Sequence, residues 1–491
     1  MRLPVRRWLC VAFALLFAVS AFAGCGKKPK ETAESSQTTE PVTKMEWGDD
    51  LPSSLDFGGT DFHVYAWQET QESDWQSEMS SDIINQAVWR SREEVADRLN
   101  VSFDISFTPG NWDNRNTFVS NLKTYMMSGM QFDLVGQYTP TAAVGAMEGL
   151  YTDLSALPYL NFHSVYWPGN FLESCNIGNR VYFCSGDITQ SLITQLGVMY
   201  INLDLWEDMG ISENIYELVE SREWTMETMQ SLLLGRIGIS DDVASQKYGL
   251  QMEGRIVYDN LFYAAGLNWV THEEDGTLFL SEEITATKAG EWYETCHKLL
   301  WENADVCSQD DPRYGANDPR YGITIADTFM AGKSIAFMAL NLNSAKTYVR
   351  DASFDFAVVP YPLYNSEQTD YHSITGYSVS MFSVPTTFQS ASMSGAVLEA
   401  LGSSGYRNIT PKVYDQSFRQ RFLQTEENAR MLDLIHDSVT YDTGRIFADD
   451  IAVFNMYRNA FYNTYSWTTL YTGRHETWEA NVEKVNNKLG G

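Results

Sequence analysis

Apolar and polar positions along residues 61–138 change period three times, and each change marks an element. DFHVYAW (61–67) is a short apolar run with β-branched and aromatic residues and predicts a strand. DIINQAVWRSREEVADRL (82–99) places apolar residues at helical spacing. VSFDISF (101–107) alternates strictly, which is the pattern of a strand with one covered face. A helix over 115–128 and an apolar strand over 132–138, FDLVGQY, complete a βαβαβ order. That order predicts a parallel sheet with helices on its faces. Ligands of such sheets sit beyond the carboxyl ends of the strands, where Trp67, Gln68, Gln137 and Tyr138 are expected.

Further along, QLGVMYINLDLWEDMGISENIYELVESREWTMETMQSL (195–232) reads as a strand, a helix closed by Gly210 and a second helix starting at Thr225. TFMAGKSIAFMAL (328–340) contains Gly332-Lys333-Ser334, the ending of a phosphate-binding loop. The loop needs a glycine five residues before Gly332 to wrap phosphates with backbone N–H groups, and Asp327 stands there instead. The stretch is better read as a helix through Ala331, capped by Gly332 with Lys333 beside its last carbonyls, then a strand. That strand delivers Asn341 and Asn343 toward a cleft.

The ends of the pattern concern the compartment. Arg2, Arg6 and Arg7 precede an almost wholly apolar run, Trp8 to Phe22, and small residues lead to Cys25. This is an export signal, with Ala23-Gly24-Cys25 resembling a bacterial lipobox; an ordinary signal peptide cleaved near Ala23 is the alternative. The expected parts are a signal over 1–24 and a lipidated, disordered tether over 25–55, rich in Ser, Thr, Glu, Lys and Pro. No other stretch has 18 uninterrupted apolar residues.

Net charge is −30, which leaves no basic footprint for nucleic acid as a partner. Cys175, Cys184, Cys296 and Cys307 remain once Cys10 and Cys25 are set aside. Outside the cytoplasm they permit two disulfides, with Cys175–Cys184 preferred across a hairpin centred on Gly178; four free buried thiols are the alternative. No metal site is expected. The repeat DPRYGANDPRYG (311–322) offers Asp311 and Asp318, but it lacks the alternation of a calcium loop, and Arg313 and Arg320 would oppose an ion. GYSVS (376–380) ends in Ser380, where a nucleophile elbow requires glycine. Catalytic residues and cofactors are therefore not assigned, although paired carboxylates of a glycan hydrolase stay open among 64 acids.

LGVMYINLDLWEDMGI, WTMETM, DTFMAGKSIAFMAL and FDFAVVPYP, in this order along about 56–491, resemble the extracellular solute-binding proteins of ABC importers, the group that includes oligosaccharide binders. The resemblance implies an α/β, two-lobed periplasmic-binding-protein-like fold of class II type with a hinge. The first lobe would take 56–195 plus 370–405 and the second 196–369 plus 406–491. It also implies a lipid-anchored monomer that hands a small-molecule ligand to ABC transporter permease subunits, touching the membrane through its lipid alone. A sensor lipoprotein on the same fold, or a peptide or polyamine ligand, are the alternatives. The chain has 14 Trp, 27 Tyr and 25 Phe, and aromatic faces stack on the C–H faces of sugars while amides and acids meet the hydroxyls. Besides the strand-end residues above, Asp187, Tyr258, Trp269 and Tyr377 are the candidates, by position next to predicted elements.

Overall fold

In the computed structural model, residues 47–75, 78–285, 287–344, 349, 352–418, 426–462 and 465–490 are described. The export signal, Cys25 and most of the tether expected over 25–55 lie outside the described residues.

Strands β1 (Thr60–Trp67), β2 (Val101–Thr108) and β3 (Leu134–Tyr138) alternate with helices α1 (Ile83–Leu99) and α2 (Arg115–Met127), as the periodicity predicts. Helix α3 (Thr139–Met147) then starts directly at the end of β3, with Pro140 in its first turn. The middle of the chain adds β4 (Val198–Asn202), β5 (Tyr248–Met252), β6 (Val270–His272), β7 (Leu278–Leu280), β8 (Val306–Ser308), β9 (Ser334–Ala339) and β10 (Phe356–Val359). The last strand, β11 (Ser380–Ser383), returns to the first sheet.

The first sheet has the order β11-β3-β1-β2, with β1 parallel to both β2 and β3 and β11 antiparallel to β3. The strand expected over 132–138 begins two residues later. The Asp133 carboxylate accepts from the amides of His63 and Gln389 at 3.0 and 2.9 Å, so this residue joins strand and helix surroundings instead of extending the ladder. Helix α1 is opened by Asp82, whose carboxylate accepts from Ile84 and Asn85 N–H at 3.0 Å each, and is closed by Asn100 at φ 50°. It packs on the helix Ala391–Asn408, where Ser91 and Ser404 hydroxyls meet at 3.0 Å. That helix approaches its neighbours so closely that a Cβ on Gly405 would stand 1.6 Å from the Asp187 carbonyl oxygen.

The second sheet has the order β10-β4-β9-β5-β8, antiparallel across β10-β4-β9 and parallel across β9-β5-β8. Every residue of β4, β5, β8, β9 and β10 is buried, as the continuous apolar runs VMYIN, SIAFMA and FAVV require. Three segments pass between the two sheets and are tied to one another. Gly376 N–H donates to Gln195 O at 2.7 Å, Gly197 N–H to Ile374 O at 2.9 Å, and Thr440 N–H to Ser373 O at 2.8 Å. Such a narrow ribbon of crossings is the geometry of a hinge.

Two local expectations are corrected. Residues 328–331 form turns, not a helix. Gly332 does adopt φ 69°, and Lys333 N–H closes back on Thr328 O at 2.9 Å, so the helix-closing geometry operates on a turn. The Lys333 ammonium donates to Ala244 O at 2.8 Å. The second correction concerns the cysteines: all four are free and buried. The hairpin between Cys175 and Cys184 exists, but its bridge pairs Ile177 with Arg180, a register that sets Tyr182 opposite Cys175. Cys184 instead pairs its backbone with Phe382 of β11.

The tandem repeat is structural. Arg313 forks onto its own Asp311 at 2.7 Å and also donates to the carbonyls of Asn303 and Val306, stitching the end of the helix Lys288–Trp301 to β8. Arg320 pairs with Asp318 at 2.8 Å and covers the Tyr314 ring. Among the described residues no cluster of His, Cys, Asp or Glu could hold a metal, and no helix is long and apolar enough to cross a membrane.

Candidate ligand-binding cleft

At the carboxyl end of β1 the chain turns sharply through Gln68–Thr70, with the Thr70 hydroxyl donating to Trp67 O at 3.1 Å. The turn carries Glu69 toward the end of β2, where its carboxylate accepts from the N–H groups of Gly110 and Asn111 at 3.0 and 3.3 Å. Only glycine fits at 110, because a Cβ there would lie 2.7 Å from the Trp67 Cβ. The ends of β1 and β2 are thus locked side by side, and Trp112 follows immediately.

These strand ends line a cavity of about 580 Å³. Trp67, Trp112 and Tyr138 supply rings, and Glu69, Glu72 and Asp74 supply carboxylates. Asn85, Asn111, Gln190, Gln195 and Asn343 supply amides. Trp67 and Tyr138 lie with ring centroids 5.3 Å apart. Trp112 stacks on Phe454 at 4.7 Å and carries the Arg115 guanidinium 4.0 Å over its ring. The wall from the second sheet comes through Asn343, which follows β9, and the wall from the crossings through Gln190, Gln195 and Ser378.

The polar groups are held in place before any ligand arrives. Trp67 Nε1–H donates to Ser380 Oγ at 2.9 Å, and that hydroxyl donates to Asp74 at 2.5 Å. Asp74 is buried, which pushes its carboxyl up to about 6 even though Ser380 and Ser73 donate to it. The Gln190 amide donates to Ser73 O at 2.7 Å and Asn85 Oδ1 at 3.1 Å, and Gln195 Oε1 accepts from Asn341 at 3.0 Å. Glu69 and Asp74 each have both carboxylate oxygens engaged by the protein. Glu72 is the exposed carboxylate of the lining, beside rings, amide donors and these fixed acceptors.

Of the residues expected from sequence, Trp67, Tyr138 and Asn343 line this cavity. Asn341 stands one hydrogen bond behind, on Gln195. Tyr377 adjoins Ser378, with its ring against Arg445 at 4.0 Å. The others are elsewhere. Gln68 is exposed and does not contribute to the lining. Gln137 is a core amide, donating to Ser383 and accepting from Tyr151, because side chains alternate along β3 and only its neighbour Tyr138 faces the cavity. Asp187 is fully buried against His436 at 3.0 Å. Tyr258 donates to Cys296 O in the interior, and Trp269 stacks on Phe262 at 5.5 Å in an aromatic core.

The lining residues that sequence reasoning missed are chiefly Glu69, Asn111, Trp112, Gln190 and Gln195. Asn111 and Trp112 follow β2 as Trp67 and Tyr138 end β1 and β3, so the same strand-end rule reaches them. The glutamines sit on a crossing segment, which leaves no periodic signal. A larger cavity, of about 880 Å³, lies against the crossings at Thr369–His372 and Ser438–Thr440. Its walls include the Glu220–Arg430 ion pair at 2.8 Å, and it draws on no strand end. The smaller cavity is the one placed where open α/β sheets bind ligands.

No protein-family model matches the chain, and no curated protein sequence does. Solved structures do. A cyclic alpha-maltosyl-1,6-maltose binding protein from Arthrobacter globiformis superimposes with a TM-score of 0.52 at 12% identity, over 88% of this chain and 100% of that one. The apo form of RafE from Streptococcus pneumoniae gives a TM-score of 0.50 at 13% identity, over 90% of this chain and 98% of that one. At such identities the likeness is one of fold. This chain has the two-lobed α/β fold of the solute-binding proteins, with its candidate site at the strand ends that this fold turns toward a cleft.

Proposed function

We propose that this chain is a solute receptor that captures a saccharide between its lobes and presents it to the permease of an ABC transporter, without chemistry on the ligand. The observation that carries this reading is the cleft's composition: the rings of Trp67, Trp112 and Tyr138 among amides already fixed by hydrogen bonds. Sugar C–H faces stack on such rings, and preformed amides meet hydroxyls with little ordering cost. The fold neighbour from Arthrobacter, named for binding a cyclic maltosaccharide, supports the same class of ligand.

The lobes are 56–195 plus 370–405 and 196–369 plus 406–491. The receptor acts as a monomer outside the cytoplasm, held to the membrane by a lipid on Cys25 through the tether that follows. Acyl chains contribute roughly 0.8 kcal/mol per buried CH₂, so two or more on one cysteine suffice to hold a protein at the surface.

A thermal-shift screen against neutral and charged saccharides, amino acids, peptides and polyamines tests the reading. A saccharide at about 100 times its dissociation constant stabilises the native state by roughly 2.7 kcal/mol, a visible shift. A panel in which polyamines or peptides shift the melt and no saccharide does would sink it. Appearance of a cleaved product would replace the receptor with an enzyme.

A further inference from the structure

Among the described residues three arginines are buried: Arg92, Arg445 and Arg458. Arg92 donates to Trp75 O and Glu93, and Arg458 forks onto Asp259. Arg445 is different. It is 7% exposed, its Nε has no hydrogen-bond partner, and among the described residues no carboxylate pairs with its guanidinium. Its contacts are aromatic: the guanidinium carbon lies 4.0 Å from the Tyr377 ring centroid and 5.9 Å from that of Tyr263.

The nearby acids are already engaged. Asp259 is taken by Arg458, while Asp442 accepts from Gly444 N–H, Trp269 N–H and the Tyr263 hydroxyl at 2.8, 2.9 and 3.0 Å. The Tyr377 hydroxyl is also buried, with the Tyr457 side chain as its neighbour and no close hydrogen bond. A buried charge without a carboxylate partner is costly inside a protein, and structures retain such groups where something else completes them.

Arg445 lies one layer behind the cleft lining, and neither it nor Tyr377 is itself part of that lining. Tyr377, whose ring it covers, is followed directly by Ser378 of the cavity lining, and Tyr377 packs on Phe454, the ring that supports Trp112. Arg445 is also the foremost charge acting on Tyr138, another lining residue. A guanidinium over an aromatic ring leaves its N–H groups for a forked acceptor.

We infer that Arg445, with Tyr377, receives an anionic substituent of the saccharide, a carboxylate or a sulfate. This rests on the saccharide-receptor reading above and narrows its ligand class to acidic sugars. The carboxylates of Glu69, Glu72 and Asp74 line the same cavity on the β1 side. They oppose a second negative charge, so the ligand carries one anionic group and is otherwise neutral.

The test titrates the full chain, in detergent, with matched oligosaccharide triplets: one member with a single uronic acid, its carboxyl-reduced neutral form, and the neutral form bearing one sulfate. The anionic members of at least one triplet bind about ten-fold more tightly than the neutral one, and the uronate and sulfate arms separate the two sources. Arg445→Gln removes that preference, and Arg445→Lys keeps part of it. The ligand-free Arg445→Gln chain melts within a few degrees of the parent, because only ring contacts and no internal ion pair are lost; a much lower melt would mark Arg445 as structural and overturn the inference. Equal binding of neutral and anionic members, or an anion preference that survives Arg445→Gln, also overturns it and leaves the receptor intact. If no member of any triplet binds, the saccharide reading falls as well.

Discussion

Two aromatic groups in this molecule look alike in sequence and differ in everything else. One, around Phe262, Trp269, Tyr457, Trp467 and Trp478, is sealed in the interior of the second half of the chain, with Trp269 5.3 Å from Trp478 and 6.0 Å from Trp467. Its indole N–H groups end on backbone carbonyls: Trp467 on Ile284 at 3.1 Å and Trp478 on Ala452 at 3.2 Å. The other group, Trp67, Trp112 and Tyr138, stands at strand ends beside carboxylates and amides and borders open volume. An aromatic ring therefore says little about binding by itself. The neighbours that its polar edge finds, and whether volume is left beside its face, decide the role.

That comparison can be broken from either side. The largest effect is expected from Trp269→Ala, which should cost about 3–5 kcal/mol of stability in denaturant unfolding through the cavity left behind. An unfolding midpoint equal to the parent's would mean the ring is not core. Next is Asp187→Asn, which leaves buried His436 only the exposed Asp437 as counter-charge and should cost about 3 kcal/mol.

The Asp187–His436 pair also gives a pH signature. Burial alone would lower the imidazole, but the bonds and charges of Asp187 and Asp437 raise it to about 10. A folded-state pKa above the unfolded one contributes stability that is full below about 6.5 and fades as pH rises through about 10. The parent's melting temperature should fall over that window, and in Asp187→Asn the fall should largely vanish. A parent curve flat from pH 6 to about 10 would contradict the ion pair.

On the cleft side the effects are smaller on stability and larger on ligand. Trp112→Ala should weaken binding of a saccharide found in the screen by about ten-fold, roughly 1.4 kcal/mol, while melting within a few degrees of the parent. Unchanged affinity would move the site away from the strand ends. The smallest change is expected from Asn343→Ala, which trims one amide from the wall and should reduce affinity a few-fold, roughly 0.5–1.5 kcal/mol. Calorimetric titration reads both.

The legible part of the fold is the part where period and burial coincide. Helix α1 ends where Asp82 and Asn100 cap it, and β2 alternates because one face is covered, so both are readable residue by residue. Residues 328–331 read as a helix in sequence because the closing glycine geometry is the same on a turn as on a helix. The cysteine pairing failed on register: the hairpin was visible, yet the residue opposite Cys175 depends on which two residues its turn contains. Among cleft residues, strand ends were found where the alternation was followed to the last residue. Gln137 was misplaced because adjacent strand residues point to opposite faces, and Asp187 because an acid after a glycine looks the same in a loop and in a core.

Sequence by itself determined the α/β alternation, the order of elements and the strand ends, since these follow from periods of about two and 3.6 residues acting within a dozen neighbours. It also determined that no phosphate loop exists at Gly332, because one absent glycine removes the required backbone cradle. Tertiary structure alone decided which aromatic rings face open volume, which acids are neutralised by distant partners and where glutamines from a crossing segment complete a wall. Those outcomes depend on contacts between residues up to hundreds of positions apart, such as Trp67 with Ser380 and Asp187 with His436. No local period encodes them, and burial and pairing fix them only once the two sheets are in place.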